Sequence, residues 1–67
     1  MIKLSINGAI QQFDAALSVA ELVISLDLSG KRIAIEQNGE IVPKSQYPQT
    51  QLNDGDVLEM VVAVGGG

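Results

Sequence analysis

Ser18-Val19-Ala20-Glu21-Leu22-Val23-Ile24-Ser25-Leu26 is the one stretch of this chain with a helical period. Ser18 and Glu21 stand at capping-box spacing, so the serine can accept from a first-turn N–H while the glutamate reaches back to the serine's own N–H. Val19, Leu22, Val23 and Leu26 then fall at i, i+3, i+4 and i+7, one apolar stripe about two turns long, and Ser29-Gly30 supplies a stop. A single short helix of this kind needs a surface to pack on, and the flanking segments supply strands.

On the N-terminal side, Ile2, Leu4 and Ile6 alternate with Lys3 and Ser5, and Asn7-Gly8 is a type I′ hairpin signal. A second strand returns through Ala9 to Phe13. Its Ile10 and Phe13 are three apart and face opposite sides unless a bulge intervenes, which leaves its register open. On the C-terminal side, Ile33 to Gln37 reads as a strand, Asn38-Gly39 as a turn, and Glu40-Ile41-Val42 as a short strand ended by Pro43. Lys44 to Gln51 is polar and broken by Tyr47-Pro48, a loop with room for one helical turn. Asn53-Asp54-Gly55-Asp56 is a tight turn, and Val57 to Val64 is the longest strand signal. One helix against about five strands describes an α+β roll in which the helix covers one face of the sheet and the other stays partly open. Along the last strand Leu58, Met60, Val62 and Val64 share one side. Val57, Glu59, Val61 and Ala63 share the other, and Glu59 marks theirs as the open face. Val57, Val61 and Ala63 are candidate partner contacts there, against the plainer reading of ordinary cross-strand packing.

Composition narrows the function. The 67 residues make one domain, which at this size buries only about 60% of the surface of its unfolded chain. No Cys and no His are present, which removes disulfides, thiolate metal sites and the commonest metal ligand and neutral-pH base. Eight acidic against four basic residues give a net charge of −4, which disfavours nucleic acid and anionic lipid. The start, Met1 to Ile6, is too short for a signal peptide, and no run approaches the roughly 20 residues of a membrane span. The expected location is the cytosol.

No nucleotide loop and no nucleophile paired with His occurs. Asp54 and Asp56 lack the rest of a calcium-loop pattern and read as turn residues. Glu36 and Glu40 read as solvated charges beside their turn, Lys31 and Arg32 as solubilising residues, and Tyr47 as packing. What remains is the ending, Val64-Gly65-Gly66-Gly67. With glycine near 7% of average composition, three in a row at a given place arise by chance with a frequency of about 10⁻⁴ to 10⁻³. The division is therefore a domain over residues 1–64 and a glycine tail over 65–67. Three extended residues reach about 10 Å, and without Cβ atoms Gly65 and Gly66 let another protein's backbone come close. The α-carboxylate of Gly67 is ionised and inert at neutral pH. As an acyl donor it needs activation by a partner that holds the nucleotide.

These residues carry a resemblance. Ile6-Asn7-Gly8, Ser18-Val19-Ala20-Glu21-Leu22, Ile35-Glu36-Gln37-Asn38-Gly39-Glu40-Ile41-Val42-Pro43-Lys44, Asp54-Gly55-Asp56-Val57-Leu58-Glu59 and Val64-Gly65-Gly66-Gly67 resemble the sulfur carriers of thiamine biosynthesis. This is the ThiS-like family, with the ubiquitin-like β-grasp fold shared by the small subunit of molybdopterin synthase. The likeness spans essentially the whole chain. The Asn-Gly-Glu-Ile-Val-Pro-Lys stretch and the glycines are its most specific parts, and Asp14-Ala15-Ala16-Leu17 departs from the Gly-containing turn of many relatives.

The resemblance implies a mixed sheet with the last strand central, beside the first. It also implies a sequence of partners. An E1-like enzyme uses ATP to adenylate Gly67, sulfur from a cysteine-desulfurase route converts it to a thiocarboxylate, and thiazole synthase takes the sulfur. The chain is then a co-substrate, not an enzyme, binds no cofactor or metal itself, and is a monomer when free. Gly67 is the modified residue, Gly65 and Gly66 thread the tail, and Val57, Val61, Ala63 and Val64 contact partners. The alternatives are a molybdopterin-synthesis carrier, whose usual Pro before Gly-Gly is absent here, a ubiquitin-like modifier joined to lysines, and a passive interaction module. Deleting Gly67 is expected to abolish sulfur transfer and leave the circular dichroism spectrum and melting curve of the folded domain unchanged.

Overall fold

A computed structural model describes residues 1–62. Ile2–Ile6 (β1) and Ala9–Phe13 (β2) form an antiparallel hairpin, Val19–Ser25 (α1) follows, and Ile33–Gln37 (β3) pairs antiparallel with Glu40–Ile41 (β4). After a 3₁₀ turn at Lys44–Gln46, Val57–Val62 (β5) runs between the two hairpins, parallel to β1 and antiparallel to β3. The strand order is β2-β1-β5-β3-β4, a mixed five-stranded sheet with the last strand at its centre. The helix residues Val19, Leu22 and Val23 are buried together with Leu4, Ile35, Leu52 and Leu58, of which Leu4, Val19, Leu22, Ile35, Leu52 and Leu58 are wholly enclosed. This is the β-grasp architecture.

Strand β2 needs no bulge. Its pairing is regular, with Ile2 opposite Phe13 and Ser5 opposite Ile10, so Phe13 joins the core face and Ile10 lies exposed on the other. The register is set by the Asn7-Gly8 turn, with Asn7 at φ 51° and Gly8 at φ 85°, the left-handed pair that a type I′ turn requires.

The helix begins as its sequence indicates. Glu21 N–H donates to Ser18 Oγ and Ser18 N–H to Glu21 Oε1. The two first-turn donors that the box leaves over go to the 44–52 segment: Val19 N–H donates to the Thr50 carbonyl and Ala20 N–H to the Tyr47 carbonyl. That segment is thus held by the helix's own unsatisfied groups. Leu52 N–H donates to the Leu17 carbonyl and closes the same seam. Tyr47, buried among the core residues, takes the packing role read from the sequence.

The helix stops earlier than Ser29-Gly30. Leu26 is its C-cap, Asp27 stands at φ 59°, and the N–H groups of Asp27 and Leu28 donate to the carbonyls of Ile24 and Val23. This is the Schellman closure, made here with Asp where Gly is usual. Leu26 is therefore the half-buried cap residue that ends the apolar stripe, packed against the core with it. A side chain in the left-handed region costs about 1–2 kcal/mol, and a carboxylate at a helix C-terminus adds an unfavourable dipole interaction. Asp27→Gly is expected to stabilise the domain by about 1 kcal/mol, read as a higher urea midpoint at unchanged slope.

Candidate functional site

Three polar side chains fix the central strand. Beyond the end of β1, Asn7 Nδ2 donates to the Met60 carbonyl (3.0 Å) and Met60 N–H donates to Asn7 Oδ1 (2.8 Å), so one amide continues the ladder where the strand has stopped. From the other side, Asn38 N–H donates to the Val57 carbonyl (2.7 Å) and Val57 N–H donates to Asn38 Oδ1 (2.9 Å). Asn38 Nδ2 also donates to Asp56 Oδ1 (3.0 Å). Asp56 is 8% exposed and accepts in addition from Gln37 Nε2 (2.8 Å) and Asn53 N–H (2.9 Å). The reading of residues 53–56 as turn chemistry holds, and the Asp56 carboxylate is its centre. Neighbouring Asp54 accepts from the Lys3 N–H at the start of β1.

Burial alone would raise the Asp56 pKa, but the hydrogen bonds from Asn53, Asn38 and Gln37 together outweigh it and hold the carboxyl below its ordinary value. Burial pushes the Tyr47 phenol up, away from neutral pH, and its hydroxyl makes only a long 3.5 Å contact to the Ile33 carbonyl. Neither group is placed as a general acid or base. A shallow groove of about 280 Å³ lies between β4 and the 3₁₀ turn, lined by Gln37, Glu40, Gln46, Thr50 and neighbouring apolar residues. It holds no nucleophile paired with a base. Among the described residues no group of three or more His, Cys, Asp or Glu is placed to hold a metal ion, and no helix is long and apolar enough to cross a membrane.

The open face of the sheet is the remaining surface. On β5, Leu58 and Met60 are buried while Val57 is 50% and Val61 66% exposed, which places both on the face away from the helix. Ala34 lies opposite Val61, and Ser5 lies opposite both Val57 and Ile10. Between Val57 and Val61 stands Glu59, directly opposite Glu36, which is in turn opposite Ile41. The apolar surface is therefore crossed by a row carrying two carboxylates. Ala63, Val64, Gly65, Gly66 and Gly67 lie outside the described residues. The sequence reading found Val57 and Val61 but not their companions Ile10 and Ile41, nor the Glu36–Glu59 pair. Ile10 is placed by the β1–β2 pairing and Ile41 by the β3–β4 pairing, while the Glu36–Glu59 pair depends on a β3–β5 register between segments more than twenty residues apart.

A lone helix on one face of this mixed sheet defines a ubiquitin-like β-grasp protein. Residues 4–67 match the ThiS family model, and the chain belongs to that family. It is 40% identical to the sulfur carrier protein ThiS of Bacillus subtilis (strain 168) over 50 residues, 75% of this chain and 76% of that one. It is 47% identical over 66 residues, 98% of its length, to a thiazole synthase of Paramagnetospirillum magneticum, of which it spans only 20%. Among solved structures, the crystal structure of the thiamine biosynthesis protein ThiS from Geobacter metallireducens superposes with a TM-score of 0.84 at 30% identity, covering 98% of this chain and 100% of that one.

The Asp56 carboxyl carries a pH signature. Its pKa is lower folded than unfolded, so its contribution to stability is complete above the unfolded value near 3.8 and is lost as the pH falls through the folded value. Asp56→Asn keeps the shape but offers one acceptor where three donors converge. It is expected to cost about 1–3 kcal/mol at pH 7, with the gap to wild type closing in urea titrations below about pH 4.

Proposed function

We propose that this chain is a sulfur carrier for thiazole formation in thiamine biosynthesis, acting as a co-substrate of partner enzymes. The observation that carries this is the ThiS family match, which runs through the glycine tail to Gly67. The likeness to the Bacillus carrier over three quarters of the chain supports it.

In this reading the reacting atoms are at Gly67. Its carboxylate attacks the α-phosphate of ATP held by an E1-like enzyme and displaces pyrophosphate. A persulfide from a cysteine-desulfurase route then displaces AMP, and reduction of the resulting acyl disulfide by a thiol reductant leaves a thiocarboxylate. Without a Cys anywhere in the chain, no internal thiol competes for the acyl-adenylate. The thiocarboxylate is then the carrier's one nucleophilic sulfur, and thiazole synthase takes it. Gly65 and Gly66 carry the carboxylate into a narrow partner site, while Val57, Val61, Ala63 and Val64 contribute the adjoining docking surface. The relative in which the corresponding segment is part of a thiazole synthase polypeptide supports the choice of acceptor.

The test is to incubate the chain with ATP, a cognate activating enzyme and sulfide, and to weigh it. Replacement of one oxygen by sulfur, mapped to Gly67, is expected. Isopeptide conjugates to lysines would favour a modifier instead, and no ATP-dependent change would overturn the reading.

A further inference from the structure

The asparagines of the two Asn-Gly turns, Asn7 and Asn38, carry the most labile amides of the chain. The main-chain nitrogen of a following glycine has no Cβ beside it and can reach the asparagine's Cγ. Its attack closes a succinimide, and the glycine N–H proton leaves with the departing ammonia. Water then opens the ring at either carbonyl to give aspartate or β-linked isoaspartate. The net change is the exchange of NH for O, with nothing oxidised or reduced. The remaining asparagine, Asn53, is followed by Asp54, whose side chain shields its main-chain nitrogen. Solvent reaches both Asn-Gly turns: Asn7, Gly8, Asn38 and Gly39 are exposed, and a Cβ added at either glycine would meet nothing within 4 Å.

In the folded chain neither amide is free to react. Asn38 Oδ1 accepts from Val57 N–H (2.9 Å) and Asn38 Nδ2 donates to Asp56 Oδ1 (3.0 Å), while both amide atoms of Asn7 are bound to the main chain of Met60. Each side chain must let go of β5 or its turn before the glycine nitrogen can reach Cγ, so the reaction waits for a local opening. The two products differ. At position 7 a carboxylate oxygen would meet the Met60 carbonyl, whereas at position 38 it would meet the buried Asp56 carboxylate. The other donors to Asp56, Gln37 Nε2 and Asn53 N–H, are uncharged and lie on Oδ2, so they do not separate that pair. We propose that Asn38 is a covalent modification site, a succinimide-forming asparagine whose deamidation is gated by release of the start of β5 and then opposes its return by setting two carboxylates against each other. This stands whether or not the chain carries sulfur.

The test follows amide loss in the full chain at mildly alkaline pH, by peptide mapping and mass spectrometry, beside a blocked peptide spanning Gln37 to Glu40. Asn38 in the folded chain is expected to react at least about tenfold more slowly than in the peptide, because only the opened fraction is competent. Reaction at the peptide rate would overturn the gating. The product is tested with Asn38→Asp, which is expected to melt below wild type. In the Asn38→Asp/Asp56→Asn double variant the exchanged groups match again. The amide at position 56 keeps its oxygen toward Gln37 and Asn53 and donates its NH₂ to the carboxylate at position 38, which still accepts from Val57 N–H. The double variant is therefore expected to melt above Asn38→Asp, including where that single variant fails to fold. Asp56→Asn is expected to give no such recovery in an Asn7→Asp chain. An Asn38→Asp chain as stable as wild type, a double variant that melts no higher than Asn38→Asp, or equal recovery in the Asn7→Asp background would each defeat the proposal.

Discussion

The structure depends on holding the last strand between two hairpins that do not touch each other. Backbone pairing alone would leave β5 unsupported where β1 ends at Ile6 and where the β3–β4 turn begins. Two asparagines, each already committed to a left-handed turn position, close those gaps by bonding the β5 main chain with their side chains. Asp56 then joins the turn before β5 to the turn after β3. The Asn-Gly dipeptides therefore act twice, reversing their own hairpins and joining them through a strand distant in sequence.

Much of this fold was legible in the residues because local and long-range signals agree. The capping box at Ser18 and Glu21, the two Asn-Gly turns and the alternation in β1 and β5 each describe a local event that the structure contains. The places that were not legible have a common cause. The helix end is made by Asp27 in a conformation that Asp seldom adopts, so composition pointed past it to Ser29-Gly30. The 44–52 segment has no period of its own because its partners are helix N–H groups, and a carbonyl acceptor leaves no mark on residue type. Even the uncertainty in β2 resolves this way, since Ile10 does face away from the core, on a surface the alternation rule treats as polar.

The candidate site divides along the same line. The tail was readable from its composition, and Val57 and Val61 from the parity of one strand. The Glu36–Glu59 pair was not, because each glutamate alone is an ordinary solvated charge beside a turn or in a strand. Only their juxtaposition across β3 and β5 makes them informative. A lone carboxylate on a sheet is unremarkable, whereas two directly opposed carboxylates lower the stability of the sheet that carries them.

The central position of β5 also bears on how the molecule is made. Among the described residues the last strand, β5, lies between β1 and β3, so the sheet is joined across its middle only when that strand is present. The hairpins and helix can form locally as they emerge, but the core layer that includes Leu58 and Met60 closes only once residues through Val62 are available. A truncated product therefore lacks more than an ending: it has a slot through its sheet, with unpaired edges on both sides. Synthesis of the strand that leads to the tail and acquisition of the native fold are thus one event, so an incomplete chain cannot present a native docking surface.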